Sequence, residues 1–385
     1  MSSIRACAND KEAPVPNKKV LVAGASGLVG HAAVAHFASL PGWETVGVSR
    51  RVPSDIEDAT FVSADLTDAA GCESLFGGMS DVTHLVYAAL HEIPGLMPGW
   101  IDEDTIERNG AMLRNLFDPL SRVAKGLEHV SLLHGTKAYG LHHPSIGFEG
   151  MQIPLREREP RREHRNFYFV QEDYLREKQR GASWGLTVFR PTVIYGDAGG
   201  NNMNPIPAIG AYAALLREEG QPLHFPGRPG VPAVREAVDA DLVAHALGWA
   251  ATSPAATGGT YNLTNGDVFM WENVWPAIAE TLGMEPGESR PLSLAEELPK
   301  RGEQWAALVD KHDLRAPRDI LEFVGYNSLV YADTMMAGAP RPMLPILNST
   351  IAVRQAGFHE CIDTEDMFRK WFSRLVEQRV LPGPR

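Results

Sequence analysis

The stretch Lys19-Val20-Leu21-Val22-Ala23-Gly24-Ala25-Ser26-Gly27-Leu28-Val29-Gly30 decides the fold class. Its apolar beginning predicts a buried strand, and the residues from Leu28 onward predict a helix over 28–39. Glycines at 24 and 27 remove the Cβ atoms that would keep a pyrophosphate away from the helix N-terminus, and Gly30 allows close packing of helix and strand. The stretch therefore predicts a dinucleotide-binding loop. A tight strand-to-helix turn without a ligand is the alternative.

Strands and helices then alternate for about 180 residues, as expected for a parallel sheet. Further strands are predicted over 44–48, 60–63, 84–88, 128–134 and 186–189, with helices over 106–126 and 167–180. This alternation predicts an α/β, Rossmann-type doubly wound parallel sheet over residues 18–197, preceded by a flexible N-terminal tail over residues 1–17.

The composition changes after residue 197, where Gly, Asn and Pro become frequent. A smaller, mainly helical substrate-binding cap is predicted over 198–235 and 265–345, with helices over 208–217, 271–282 and within 292–313. Segments near 236–264 and 346–361 are predicted to return to the nucleotide-binding domain, and a helical pattern over 352–377 leads to a C-terminal helix within 362–385. Asp333–Pro345 shows no helical period and is expected to be a loop over the site.

Charge and cysteine content exclude several classes of partner. The chain has 36 basic and 48 acidic residues, a formal net charge of −12. That sign disfavours nucleic acid and anionic membrane surfaces. Three scattered cysteines without metal spacing favour a reducing compartment, and no apolar run could span a bilayer. We expect a cytoplasmic protein without a metal site; His134, His142 and His143 match no zinc signature.

The end of the second strand distinguishes NAD from NADP. An acidic residue there would bind the ribose 2′-hydroxyl, but the sequence has Arg50 and Arg51. Two guanidinium groups suit a 2′-phosphate, so NADPH is predicted; a solvated arginine pair is the alternative. Asp65 follows the third strand and is placed to accept from the adenine amino group. It could instead cap a helix, a role for which Thr67 competes.

The catalytic residues of a short-chain dehydrogenase are not in their usual places. Gly135 stands where a serine is expected after the fifth strand, and Glu172 stands where a lysine should follow Tyr168 by four residues. A lysine is nevertheless available, since Lys137 leaves the end of the fifth strand. Together, Lys137 and Tyr168 could bind one developing oxyanion, which favours reduction of a C=C bond conjugated to a carbonyl. A surface lysine and a core tyrosine are the alternatives.

The chain resembles the progesterone 5β-reductase/iridoid synthase-like enzymes, atypical extended short-chain dehydrogenases that reduce enones with NADPH. The resemblance lies in the glycine loop, Ser49-Arg50-Arg51, Asp65-Leu66, His134-Gly135-Thr136-Lys137, the run Asn166–Asp173, Arg190-Pro191, Ile194-Tyr195-Gly196, Asn201-Asn202-Met203-Asn204 and Ala356-Gly357-Phe358. It implies Lys137 and Tyr168 as the catalytic pair. It also implies cofactor contacts at Ser26, Gly27, Leu28, Arg50, Arg51, Asp65, Leu66, Ile194, Asn201, Asn202 and Met203, and a homodimer.

Departures from plant members concern the substrate pocket. Ala89-Leu90 replaces Thr-Trp beside the cofactor, His134 replaces Thr, and Phe169 replaces a second Tyr. Trp100, Phe148 and Met203 are expected as apolar pocket walls. The expected activity is NADPH-dependent 1,4-reduction of a small enone or enal. The alternatives are a carbonyl reductase or sugar-nucleotide epimerase on the same fold, and a non-catalytic NADPH-binding regulator.

Overall fold

The computed structural model describes residues 18–53, 55–93, 97–143, 146, 150–198, 203–228, 233–336 and 346–384. The strands, in chain order, are β1 (Lys18–Ala23), β2 (Trp43–Ser49), β3 (Thr60–Ser63), β4 (His84–Tyr87), β5 (His129–Leu133), β6 (Gly185–Pro191), β7 (Ile194–Tyr195), β8 (Leu223–Phe225), β9 (Val238–Asp239), β10 (Thr260–Leu263) and β11 (Pro286–Ser289). The helices are α1 (Leu28–Ser39), α2 (Ala69–Phe76), α3 (Met97–Ile101), α4 (Glu103–Val123), α5 (Phe167–Gln179), α6 (Pro205–Glu218), α7 (Ala240–Thr252), α8 (Trp271–Thr281), α9 (Leu294–Glu297), α10 (Gly302–Lys311), α11 (Ile320–Val324), α12 (Tyr326–Met336), α13 (Ile351–Gln355) and α14 (Thr364–Glu377).

A seven-stranded parallel sheet in the order β10-β6-β5-β4-β1-β2-β3 forms the centre of the molecule. The predicted Rossmann-type sheet is confirmed, with strand ends shifted by one or two residues. Strand β1 is apolar throughout its second half because helices cover both faces of the sheet, and Val20–Ala23 are fully buried. The chain reverses its direction of winding between β1 and β4. In open α/β sheets, ligands bind beyond the carboxyl ends of the strands at this point.

Two helical layers enclose the sheet. Apolar side chains of α1 and α7 form one buried cluster with β1, and those of α2, α4 and α5 form another. Helix α4 begins after Asp102, whose carboxylate accepts from the Thr105 N–H at 2.8 Å. Among the described residues, no helix is both long and apolar enough to cross a membrane, and no group of three or more His, Cys, Asp or Glu could hold a metal ion.

Most of the remaining helices form a third core. Helix α6 is buried on nearly all sides because it is apolar around its whole circumference, and α8, α10, α11, α12 and α14 pack in the same cluster. Two small parallel pairs, β7 with β9 and β8 with β11, join this part of the chain. Helix α12 therefore packs in the same buried cluster as α6.

Two expectations for the C-terminal third were wrong in detail. Residues 333–336 end helix α12, and Asp333 accepts from the Ser293 hydroxyl at 2.6 Å and the Leu294 N–H at 2.7 Å, so tertiary hydrogen bonds hold a segment without a sequence period. Residues 337–345 of the expected loop lie outside the described residues. The helical pattern over 352–377 is split into α13 and α14, because Gly357 turns the chain with a φ of 105°.

Candidate active site

A cleft of about 400 Å³ opens at the carboxyl ends of β1, β2, β4 and β5. It brings together most of the residues that the sequence singled out: Gly24, Ser26, Gly27, Leu28, Arg50, Arg51, Asp65, Leu66, Ala89, Lys137, Tyr168, Ile194 and Met203. Gly30 lies beneath the loop, where an added Cβ would come within 2.1 Å of the Gly24 carbonyl oxygen. Phe148, Asn201 and Asn202 lie outside the described residues.

The glycine loop has the geometry of a cradle for phosphate. Gly24 has a φ of 89°, and an added Cβ would lie 2.8 Å from the Ala88 carbonyl carbon. The Gly24 and Ala25 N–H groups donate to the Val48 carbonyl at 2.8 and 3.1 Å, which holds the turn against β2. Gly27 begins α1 without a side chain that could cap it, so the first N–H groups of α1 face the cleft.

Arg50 and Arg51 are exposed and line this cleft together with Asp65, where β2 and β3 end. The Asp65 carboxylate accepts from the Thr67 N–H at 2.9 Å and the Thr67 hydroxyl at 2.7 Å, and these hydrogen bonds lower the pKa of Asp65. Helix α2 is capped by Asp68, which accepts from the Gly71 N–H at 3.1 Å. The alternative roles of Asp65 and Thr67 as helix caps are therefore wrong.

Asn166 ties the two candidate catalytic residues together. Its amide oxygen accepts from the Tyr168 N–H at 3.0 Å and caps α5, while its amide nitrogen donates to the Lys137 carbonyl at 3.0 Å. The helix that carries Tyr168 and the 3₁₀ turn Thr136–Tyr139 that carries Lys137 are thus joined by one buried side chain. Sequence reasoning had no role for Asn166, although a polar residue before an apolar helical run is the usual signal of a cap.

Gly135 leaves room for the Tyr168 hydroxyl. A Cβ built on Gly135 would lie 3.2 Å from the Tyr168 Oη and 3.6 Å from the Pro191 carbonyl oxygen. A serine at this position would therefore crowd the tyrosine oxygen. The absence of a serine side chain at position 135 therefore leaves the space that the Tyr168 hydroxyl occupies.

The ring of Tyr168 is buried and stacks on a neighbouring histidine. Only 8% of its surface is exposed, and burial raises the pKa of its phenol above the ordinary value, so the hydroxyl stays protonated. The His134 ring stacks on it, with centroids 4.3 Å apart and planes 19° apart. Burial, with nearby arginines, lowers the pKa of His134, which is therefore neutral at pH 7.

Lys137 lines the same cleft as Tyr168, and its ammonium group is enclosed by apolar side chains. Its Nζ lies 2.9 Å from the Met203 sulfur and 3.9 Å from the centroid of the Trp100 ring. Burial lowers the pKa of Lys137 to about 8, an effect that Glu92 opposes. Trp100 is 1% exposed and donates its indole N–H to Glu92 at 3.0 Å, so it packs behind Lys137 and is absent from the residues that line the described cleft.

Glu172, at the position where a short-chain dehydrogenase has a lysine, is paired with arginines. Its carboxylate accepts from Arg176 at 2.8 Å and pairs with Arg161 at 3.0 Å, and Glu172 does not line the described cleft. The helix position that usually supplies a cation to the cofactor ribose is here part of an arginine cluster. Among the residues that line the described cleft, Lys137 is the only lysine.

The cleft also contains residues that sequence reasoning missed. They are Glu92 and His91 after β4, Thr192 and Val193 between β6 and β7, and Tyr331 of α12. No local pattern marks Tyr331, which reaches the site only because α12 packs beside α6. The helical core around α6 and α12 therefore contributes a tyrosine to the lining of the cleft.

The chain is similar to known proteins over most of its length. The model of the PRISE-like Rossmann-fold domain matches residues 82–382. The (S)-8-oxocitronellyl enol synthase ISY2 of Nepeta cataria is 31% identical over 380 residues, covering 94% of this chain and 91% of that protein. The 3-oxo-Delta(4,5)-steroid 5-beta-reductase of Arabidopsis thaliana is 29% identical over 377 residues, covering 94% and 92%.

Solved structures show the same fold at lower identity. The Bordetella bronchiseptica enzyme WbmH in complex with NAD+ superimposes with a TM-score of 0.61 at 16% identity, covering 95% of this chain and 99% of that one. The UDP-glucose 4-epimerase of Thermus thermophilus in complex with NAD gives a TM-score of 0.60 at 19% identity, covering 92% and 97%. Both likenesses concern the extended Rossmann architecture.

Proposed function

Since this chain belongs to the family of PRISE-like Rossmann-fold proteins, we propose that it is an NADPH-dependent reductase of the activated C=C bond of an enone or enal. Its relatives include an (S)-8-oxocitronellyl enol synthase and a 3-oxo-Delta(4,5)-steroid 5-beta-reductase. The reaction class is 1,4-reduction, and the natural substrate is a small molecule.

The residues present fit a dinucleotide. A Cβ at Gly24 would fill the space beside the loop, and the N–H groups at the start of α1 would hold the pyrophosphate. Arg50 and Arg51 would hold the 2′-phosphate of NADPH, and Asp65 would accept from the adenine amino group. When bound, NADPH supplies a hydride to the β-carbon of the substrate.

The pair Tyr168 and Lys137 would act on the substrate oxygen. Because burial keeps Tyr168 protonated, its hydroxyl can donate a hydrogen bond to a carbonyl, and the Lys137 ammonium adds a positive charge beside it. Both contacts strengthen as the carbonyl becomes an enolate, which is the requirement for transition-state stabilisation. Solvent or Tyr168 then supplies the proton that the α-carbon takes up.

The observation that carries this proposal is the close approach of Gly135 to the Tyr168 hydroxyl, 3.2 Å from an added Cβ. A carbonyl reductase or epimerase of the usual short-chain type uses a serine at this place and a lysine at the place of Glu172. Both are absent, and Glu172 is held by arginines. A non-catalytic NADPH-binding regulator would need neither Tyr168 nor Lys137 in the cleft.

The test is to incubate the protein with NADPH and a panel of enones, enals and ketones, to follow cofactor oxidation and to identify products. Saturated ketones or aldehydes are expected; allylic alcohols would exclude 1,4-reduction. Tyr168→Phe and Lys137→Met should slow turnover about 10²-fold or more while the Kd for NADPH changes little. Tyr326→Phe and Lys300→Met, which alter exposed side chains, are the matched controls. Tight NADPH binding without turnover on any substrate would favour the regulator.

We also propose a homodimer acting in the cytoplasm, on the strength of the family resemblance and the sparse, scattered cysteines. Sedimentation velocity at micromolar concentration measures the first, since a monomer of 42.1 kDa and its dimer separate clearly.

A further inference from the structure

The ammonium group of Lys137 lies between a sulfur atom and an aromatic ring. Its Nζ is 2.9 Å from the Met203 sulfur and 3.9 Å from the centroid of the Trp100 ring. A thioether is a weak acceptor, and a ring face attracts a cation only moderately. Because burial disfavours the charged form of a lysine, a negative charge close by would decide how much of Lys137 is protonated at neutral pH.

Glu92 brings a carboxylate to the same place from the loop after β4. It lines the cleft together with Lys137, and its Oε1 accepts from the indole N–H of Trp100 at 3.0 Å. The Trp100 ring thus has the ammonium group over its face and the carboxylate at its edge. The other acid in the lining of the described cleft is Asp65, whose carboxylate is held by Thr67 where β3 ends.

The backbone on both sides of Glu92 is anchored to helices. The buried Asn109 of α4 accepts from the His91 N–H at 2.8 Å and donates to the His91 carbonyl at 2.9 Å. On the other side, the Ile93 carbonyl accepts from the Asn327 amide of α12 at 3.4 Å. Two helices therefore fix the loop that carries the carboxylate.

The other titratable side chains around Lys137 and Trp100 are neutral at pH 7. Burial lowers the pKa of the histidines and raises the pKa of the tyrosines in and beside the cleft, namely His91, His134, His142, Tyr168 and Tyr331. The arginines in the lining, Arg50 and Arg51, are cations and would disfavour a second positive charge. Glu92 opposes the effect of burial on the pKa of Lys137. Its carboxylate is therefore the charge that favours the protonated lysine.

We propose that Glu92 is a positioning residue for the reduction, which holds the Trp100 ring against the ammonium group of Lys137 and keeps that group charged at neutral pH. This inference rests on the proposed function for the role of Lys137. The carboxylate and the ammonium group together leave this part of the cleft without net charge before hydride transfer. The site therefore fits a substrate whose carbonyl end is neutral until the enolate forms.

The experiment measures two quantities in each variant. One is the pH dependence of kcat with an enone, and the other is the pKa of Lys137 without substrate, by ¹³C NMR of protein labelled at its lysines, with Lys137→Met to assign the signal. Glu92→Gln keeps an acceptor for the indole N–H and loses the charge, so both midpoints should fall by about one pH unit. For a midpoint that moves from 8 to 7, kcat at pH 8 should fall about fivefold. At pH 6, kcat should stay within about twofold of wild type, because the lysine is charged in both proteins.

Two further variants support the comparison. Glu92→Asp keeps the charge and should retain most of the wild-type midpoint. Trp100→Phe keeps an aromatic ring but no longer holds the carboxylate, so it should lower both midpoints and the test stands if Glu92→Gln does not fold. Glu288→Gln, at an exposed carboxylate of β11, is the matched control and should leave both midpoints unchanged.

The two proposals fail in different ways. A loss of activity in Glu92→Gln that is equal at pH 6 and pH 8, with an unchanged pKa of Lys137, would overturn the role of Glu92 and leave the reductase intact. A lowered pKa of Lys137 in Glu92→Gln, in a protein that reduces no enone, would overturn the reductase and leave the effect of Glu92 on Lys137.

Discussion

Replacing Gly135 by alanine adds one methyl group beside the Tyr168 hydroxyl. The backbone tolerates the change, because Gly135 has an extended conformation with a φ of −179° that any residue adopts. The new Cβ would lie 3.2 Å from the phenol oxygen, 0.2 Å short of the 3.4 Å at which ordinary van der Waals contact begins. The hydroxyl must therefore move by at least this difference, away from the position in which it would meet a substrate oxygen.

The size of the effect follows from that displacement. A misplacement of about 1 Å at a reacting centre costs roughly 10²-fold in rate, so a few tenths of an ångström should lower kcat about two- to fivefold. Packing the extra methyl into a filled site should also cost about 1 kcal/mol of unfolding free energy. The Kd for NADPH should stay at the wild-type value, because the phosphate loop is untouched.

Three variants make the test decisive: Gly135→Ala, Tyr168→Phe and the double variant. Removing the phenol oxygen removes the contact, so the stability loss of Gly135→Ala should largely disappear in the Tyr168→Phe background. Gly126→Ala is the matched control, since a Cβ there meets nothing within 4 Å. Denaturant unfolding and steady-state kinetics are the assays. A stability loss that is equal in both backgrounds would refute the reasoning from the Gly135–Tyr168 contact.

Three further predictions concern charge. Because the pKa of Lys137 is lowered to about 8, the side chain loses its positive charge above that pH, so kcat should fall as the pH rises through 8. This decrease in the pH profile of kcat should be absent in Lys137→Met. Replacing Arg50 and Arg51 together by Ser should raise the KM for NADPH about tenfold or more and leave that for NADH nearly unchanged, because only NADPH has the 2′-phosphate; equal changes for both cofactors would contradict the assignment. Burial raises the pKa of Glu236 from 4.5 to about 7, so the folded state holds the proton more tightly than the unfolded chain and stability falls as pH rises from 4.5 through 7. Glu236→Gln should therefore raise the unfolding free energy more at pH 8 than at pH 5, measured by denaturant titration.

Much of the nucleotide-binding half was predictable because its signals are local. Each of these signals expresses one short-range requirement. The strand at Lys18–Ala23 is apolar because it is buried on both faces, the glycines at 24, 27 and 30 allow close approach of a backbone, and the arginines at 50 and 51 place charge at a strand end. Lys137 and Tyr168 were predicted to act as a pair because the chain has no serine at position 135 and no lysine at position 172. The predicted ends of helices were less accurate, because capping residues such as Asn166 and Asn204 set them through side-chain hydrogen bonds.

The tertiary structure alone decided how these pieces meet. The sequence marks Gly135 only as the place of a missing serine, and the fold alone brings the Tyr168 oxygen to 3.2 Å from the position that a Cβ would take there. Tyr331 has no periodic or motif signal and lines the cleft only because α12 packs beside α6. Sequence alone thus determined the fold class and predicted NADPH and the pair Lys137 and Tyr168, because these inferences depend on residues within a strand, a turn or a helix. The packing of separate elements decided the crowding around the Tyr168 hydroxyl, because it depends on a distance between residues far apart in the chain.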